Sequence, residues 1–233
     1  FLHFTHGINN NNTMRTKALF LSVATGLATL VATQAQVVYS VNVVGYVNVT
    51  LDAGWTMVSN PLDNGAGNLV TDLMPAADTA AGTQVYKWNG TGFDTLTLQF
   101  GAWNPAPAEA IDMTLNPGEG VFISSGSEQT VTFVGEVKEG ANDVVLPQGW
   151  SIFSSVAPVT TDLSDAAVAF PAENGDNFYR YDQALNGGAG GYVPGAYSFG
   201  SWITPMVLAP GQATWVSKQT EQTWTRTFDV PRE

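Results

Sequence analysis

The chain is 233 residues long, with no cysteine, two histidines and 20 acidic against 8 basic side chains, for a formal net charge of −12. Both histidines, His3 and His6, precede a leader-like segment, so a chain trimmed there has neither imidazole nor thiol. That excludes Ser-His-Asp and cysteine nucleophiles, imidazole zinc sites and a disulfide framework; the sparse Lys and Arg exclude nucleic acid, whose phosphates need clustered cations.

Residues 1–13 read as an untranslated or disordered extension that opens on Phe1 and carries Asn9 to Asn12 in a row. Met14-Arg15-Thr16-Lys17 is a basic n-region, Ala18 to Ala32 an apolar h-region and Thr33-Gln34-Ala35 a small-residue cleavage site, so residues 14–35 are expected to be a signal peptide cut near Ala35. The apolar run falls short of the roughly 20 residues that span a bilayer, which makes membrane contact an affair of the signal peptide alone. Export to the cell surface or beyond follows. Removing Arg15 and Lys17 leaves 8 − 2 = 6 basic residues and a net charge of 6 − 20 = −14. Such an acidic surface keeps an exported protein soluble.

From there the chain repeats itself. Val43-Val44-Gly45-Tyr46-Val47 is replayed by Phe133-Val134-Gly135-Glu136-Val137, and Leu51-Asp52-Ala53-Gly54-Trp55 by Leu146-Pro147-Gln148-Gly149-Trp150. Further on, Val85-Tyr86-Lys87-Trp88-Asn89 answers to Phe178-Tyr179-Arg180-Tyr181-Asp182, Phe100-Gly101-Ala102-Trp103 to Phe199-Gly200-Ser201-Trp202, and Leu115-Asn116-Pro117-Gly118 to Leu208-Ala209-Pro210-Gly211. The offset drifts between about 90 and 99 residues, and the drift falls in Gly/Asn/Asp-rich stretches where surface loops absorb insertions. A self-similarity of this period marks a duplication, expected as two tandem domains over 36–132 and 133–233.

In the first copy, Val38 to Leu51 alternates apolar and polar residues as a strand does, and Gly45 signals a bulge or a close backbone approach. Trp55 to Ser59 continues as strand until Asn60-Pro61. Asn68 to Met74 is a weak helical segment, cut short by Pro75. Asn89-Gly90-Thr91 between Gln84–Trp88 and Gly92–Leu98 predicts a hairpin. Pro117-Gly118 predicts a type II turn, with Pro presetting φ and Gly taking the positive one, followed by the buried strand Val121-Phe122-Ile123. In the second copy, Thr161 to Phe170 places Leu163, Ala166, Ala167 and Phe170 at helical spacing behind a Thr cap and predicts about two helical turns. The hairpin there is spread over Asp182 to Gly191, and Pro210-Gly211 precedes the buried strand Thr214-Trp215-Val216. The expected fold is mainly all-β: two small sandwich- or barrel-like domains, each with one short helix.

The order Gly-Trp-x-x-x-Ser-Asn-Pro from Gly54, Tyr86-Lys87-Trp88-Asn89-Gly90, then Leu115 to Ile123 resembles an uncharacterised β-rich repeat of exported and surface proteins from environmental bacteria. The resemblance covers nearly all of Val43 to Val230 and implies an extracellular location; it brings no catalytic residues with it. The second copy departs from it at Ser155-Val156-Ala157-Pro158 and at Gln212-Ala213-Thr214, so a function tied to those positions would belong to the first copy.

Candidate sites follow from residue type. Trp55, Trp103, Trp150 and Trp202 recur at matching positions, which assigns them to a common core. Trp88 stands beside an exposed hairpin and its equivalent in the second copy is Tyr181, and Tyr192 and Tyr197 lie in the long glycine-rich loop, so these four rings are the candidate ligand-binding set. Asp63-Asn64-Gly65 with Asn68, and Glu173 to Asn177 around Asp176, carry oxygens of the kind that hold Ca²⁺, although turns favour the same residues and no cofactor is required. The carboxylate pairs Glu109/Asp112 and Glu136/Glu139 are available for glycoside hydrolysis, but neither is matched in the other copy, and the chain reads as no enzyme. The reading is an exported, non-catalytic structural or adhesive protein of the cell surface or matrix, with a carbohydrate-binding module as the alternative. Partners are either surface polysaccharide or a second copy, joined head to tail through end strands that lack a neighbour.

Overall fold

Residues 43–231 are described by a computed structural model; the extension and leader expected over residues 1–35 lie outside them. The first half runs β1 (Val44–Leu51), β2 (Gly54–Val58), β3 (Leu62–Asp63), a single helical turn α1 (Val70–Leu73), β4 (Gln84–Trp88), β5 (Phe93–Gln99), β6 (Ala102–Ala106), a 3₁₀ turn (Ala108–Asp112), β7 (Val121–Ser125) and β8 (Gln129–Val137). The second runs β9 (Gly140–Leu146), β10 (Gly149–Phe153), β11 (Thr161–Asp162), β12 (Asn177–Asp182), β13 (Gly191–Ser198), β14 (Ser201–Thr204), β15 (Val207–Leu208), β16 (Thr214–Lys218) and β17 (Gln222–Phe228).

The same sheet is built twice. Its order is β2-β7-β4-β5-β6 in one half and β10-β16-β12-β13-β14 in the other, antiparallel throughout. Each five-stranded sheet is covered on one face by smaller ladders, β1-β8-β3 in the first half and β9-β17 with β11-β15 in the second. Alternation supplies the contacts: along β1, Val47, Val49 and Leu51 point inward while Tyr46, Asn48 and Thr50 face water. Against them lie Val58, Val85, Leu96, Val121, Ile123 and Phe133. The second core gathers Val144, Leu146, Phe153, Phe178, Val216 and Trp224. The all-β, sandwich-like architecture follows from these two inner faces.

Val43–Val47 and Phe133–Val137, alike in sequence, are partners in one ladder, with Val47 opposite Phe133 and Gly45 opposite Gly135. The division drawn at 132/133 therefore falls inside β8, and β9 opens the second half. Neither end strand lacks a neighbour: β1 pairs along its whole length with β8, and β17 pairs with β9. No bulge interrupts the register at Gly45. The close approach is at Gly135, where an added Cβ would lie 2.4 Å from the Asp63 carbonyl oxygen.

The helix expected over Thr161 to Phe170 does not form. Asp162 Oδ1 accepts the Ser164 N–H at 2.9 Å and Asp165 Oδ1 accepts the Ala167 N–H at 2.9 Å, and such local side-chain bonds hold the backbone in turns instead. Its weaker counterpart contains α1; in the second half Leu185–Gly188 of the long hairpin loop is a turn and no regular helix, because Asn186 and Gly187 take φ of 54° and 69°. The Asn-Gly hairpin is present as a four-residue loop: Trp88 pairs with Phe93, and Asn89 Oδ1 accepts N–H groups from Thr91 and Gly92.

The halves meet reciprocally through the two Pro-Gly turns. Gly118 and Gly211 take φ of 94° and 80°, and each turn closes with a hydrogen bond, Glu119 N–H to Asn116 O and Gln212 N–H to Ala209 O, the geometry expected of type II. Ser154 N–H then donates to Gly118 O across the halves, and Ser59 N–H to Gly211 O, both at 2.9 Å. The same patch used from both sides is the signature of a two-fold contact, here inside one chain.

Candidate functional site

The outer face of each five-stranded sheet is aromatic, and the two faces converge. On β4 and β12 the period of two places Tyr86 with Trp88, and Tyr179 with Tyr181, on that face. Neighbouring strands add Trp55 and Trp150 from β2 and β10, Phe93 and Tyr192 from β5 and β13, and Phe122 and Trp215 from β7 and β16. These ten rings line a groove of about 780 Å³, within the roughly 300–1,000 Å³ of small-molecule and cofactor pockets. Met57, Phe122, Ile152 and Ala213 form a buried cluster against which Tyr86, Trp88, Tyr181 and Trp215 pack.

The two sets of rings repeat each other's geometry. Trp55 and Tyr86 have centroids 5.1 Å apart, and Trp150 and Tyr179 5.7 Å. Trp55 meets Phe122 edge-on at 6.0 Å, as Trp150 meets Trp215 at 6.0 Å. Trp88–Phe93 at 5.2 Å has its counterpart in Tyr181–Tyr192 at 5.3 Å. Across the halves the contacts are again reciprocal, Phe122 with Tyr181 at 5.7 Å and Trp215 with Trp88 at 5.5 Å. Edge-to-face pairs at these separations are favourable beyond their buried area, so the walls hold their shape without a ligand.

Hydrogen bonds pin the rim. Trp88 Nε1 donates to Trp150 O at 2.9 Å, and Trp55 N–H to Gln183 Oε1 at 2.7 Å, the latter reaching from the long second-half loop. Tyr86 OH donates to Gln84 Oε1 and Tyr181 OH to Gln183 Oε1. Burial pushes the Tyr192 phenol above its ordinary value, which keeps that ring neutral in the groove. Trp55, Trp150 and Tyr192 remain 38%, 47% and 49% exposed, so their surfaces are open to a ligand.

Of the four rings singled out in the sequence, Trp88, Tyr181 and Tyr192 come together in the groove, whereas Tyr197 packs beside Trp202 at 5.6 Å, away from it. Trp103 and Trp202 do belong to the cores. Trp55 and Trp150 do not: at the start of edge strands they sit on the groove face, and recurrence at matching positions reflects a site built twice as readily as a core built twice. Residue type alone does not single out Tyr86, Tyr179, Phe93, Phe122 and Trp215 as site residues; the Tyr-x-Trp and Tyr-x-Tyr spacing on β4 and β12 points to the first two.

The calcium candidates are occupied by the protein itself. Asp63 accepts from Lys138 Nζ at 2.5 Å and from Gly65 N–H at 2.9 Å, and these contacts, the lysine first, hold its carboxyl below the ordinary value. Asn64 and Asn68 bond each other's backbone N–H groups, while Asn60 Nδ2 donates to Leu115 O. Asp176 is fully buried against Lys218 and also accepts N–H groups from Glu173 and Gln219. Among the described residues no cluster of three or more His, Cys, Asp or Glu could hold a metal. The pairs Glu109/Asp112 and Glu136/Glu139 do not line the groove.

Compared with protein-family models, characterised proteins and solved structures, the chain matches none. The groove's geometry is therefore the ground for a functional reading.

Proposed function

We propose that this is an exported, non-catalytic adhesive protein that holds surface polysaccharide in the aromatic groove. The observation that carries the reading is the lining itself: ten aromatic side chains, five from each half, around an open cleft. Flat apolar rings suit the C–H faces of pyranose units, and a rigid lining loses little freedom when a ligand enters. Acyl transfer or glycoside cleavage needs a positioned acid or base, and the lining offers no carboxylate, amine or imidazole, which favours binding over turnover. Export rests on the leader at residues 14–35, and protein recovered outside the cytoplasm is expected to begin at or near Gln36.

A glycan array probed with the wild-type protein and with Trp55→Ala/Trp150→Ala tests the reading. Binding to a subset of glycans, lost in the double variant while its circular dichroism is unchanged, supports it. Retained binding in that variant places the ligand elsewhere, and no binding to any glycan rejects the proposal.

A further inference from the structure

Resting on that reading, we infer that the glycan is a cationic one, a polymer of amino sugars whose free ammonium groups sit against the ring faces. Three features point there. Aromatic faces carry the negative side of the ring quadrupole and attract cations, and this lining concentrates ten rings without one lysine or arginine among them. The described lysines are engaged elsewhere, Lys87 with Glu119, Lys138 with Asp63 and Lys218 with Asp176, and neither Arg180 nor Arg226 lines the groove. Among the described residues the cation–π contact is Lys218 over Phe170, in the second core and outside the groove. Finally, 20 acidic against 8 basic side chains give the molecule a negative field, which steers cations inward and repels uronate or sulfate polymers.

An acidic surface also attracts polycations without any groove, so the test must separate the two. The purified protein is titrated calorimetrically at low ionic strength, at a pH where amines are protonated, with a β-1,4-linked glucosamine hexamer. Its N-acetylated counterpart, cellohexaose and an oligogalacturonate serve as comparisons. The expected result is a glucosamine hexamer bound about three- to thirtyfold more tightly than its acetylated counterpart, the range that one to two ring-bound cations supply. That advantage shrinks in high salt and disappears as the amines lose their protons. Trp55→Ala/Trp150→Ala, which leaves the protein's charge untouched, should abolish it. Equal or tighter binding of the acetylated, neutral or acidic hexamers overturns the cationic assignment and leaves the glycan reading standing. Unchanged glucosamine binding in the double variant overturns it too, because the acidic surface is then responsible. Failure of every hexamer to bind overturns both.

Discussion

The hydroxyls of Ser59 and Ser154, 95 residues apart in sequence, lie 2.9 Å from each other at the contact between the two halves. The Ser154 hydroxyl donates to Gln212 O at 2.7 Å, and both serines are buried. Each also anchors the opposite half's Pro-Gly turn through its backbone N–H. The groove exists because this contact fixes one aromatic face against the other. Removing the Ser154 hydroxyl leaves the Gln212 carbonyl only the longer bond from the Ser59 hydroxyl, at 3.4 Å, so Ser154→Ala should cost about 0.5–1.5 kcal/mol. With Ser59→Ala added, the total should fall short of the two single costs, by about 0.5 kcal/mol or more. Urea unfolding of the three variants measures this, and strictly additive costs would show that the hydroxyls do not act as a pair.

The Pro-Gly turns are less alike than their sequences. An added Cβ would stand 2.8 Å from Val144 Cγ2 at Gly118 but 2.3 Å from Val49 Cγ2 at Gly211. Positive φ strains a branched residue at either position, at about 1–3 kcal/mol, and the overlap adds to it. Gly211→Val should therefore lower the thermal midpoint more than Gly118→Val; the reverse order would mean that Val49 yields more easily than Val144.

Asp176 and Lys218 form a fully buried ion pair. The first half puts Thr83 and Ser125 at the corresponding ladder positions, where Gln129 Nε2 donates to both hydroxyls. Asp176→Asn or Lys218→Met leaves one buried charge without its partner and should cost about 3–5 kcal/mol. Asp176→Thr/Lys218→Ser recreates the neutral arrangement, with Gln222 in the role of Gln129 and its buried Oε1 at present without a partner. The double variant should unfold at higher denaturant than either single one. A double variant less stable than both would assign the pair a role that the neutral cluster cannot fill.

A carboxyl whose folded pKa is depressed contributes stability above its unfolded pKa and loses it as pH falls through the folded one. Asp63 is such a group, held down by Lys138 and by the Gly65 N–H from its ordinary 3.8. Wild type should thus exceed Asp63→Asn in stability near neutrality, and the difference should vanish in acid below the ordinary carboxylate range. High salt should narrow it, because both partners are partly exposed. A gap that persists unchanged through the acid range would assign the loss to packing instead.

Alternation and turn chemistry made most of the strands legible, because Val47-Asn48-Val49 and Pro117-Gly118 each admit few local structures. The helix expected over Thr161–Phe170 does not form because, despite the apolar spacing, Asp162 and Asp165 find closer donors than a helix offers. Pairing partners were harder: Val43–Val47 matches Phe133–Val137 in sequence, yet likeness says nothing of which strand lies beside which. The groove was half visible. Trp88 and Tyr181 announce themselves by position, but Trp55 and Trp150 join their faces through the β2-β7-β4 and β10-β16-β12 ladders, long-range pairings that no local pattern encodes.

The measurement that bears most directly on the central claim is acrylamide quenching of tryptophan emission with and without a saturating glycan. Four of the ten groove residues are tryptophans, Trp55, Trp88, Trp150 and Trp215, and two of these are open to solvent. The account predicts that the bound glycan shields them and lowers the quenching constant, and that Trp55→Ala/Trp150→Ala removes most of that change. A glycan that binds saturably yet leaves the quenching of wild type unchanged would contradict it.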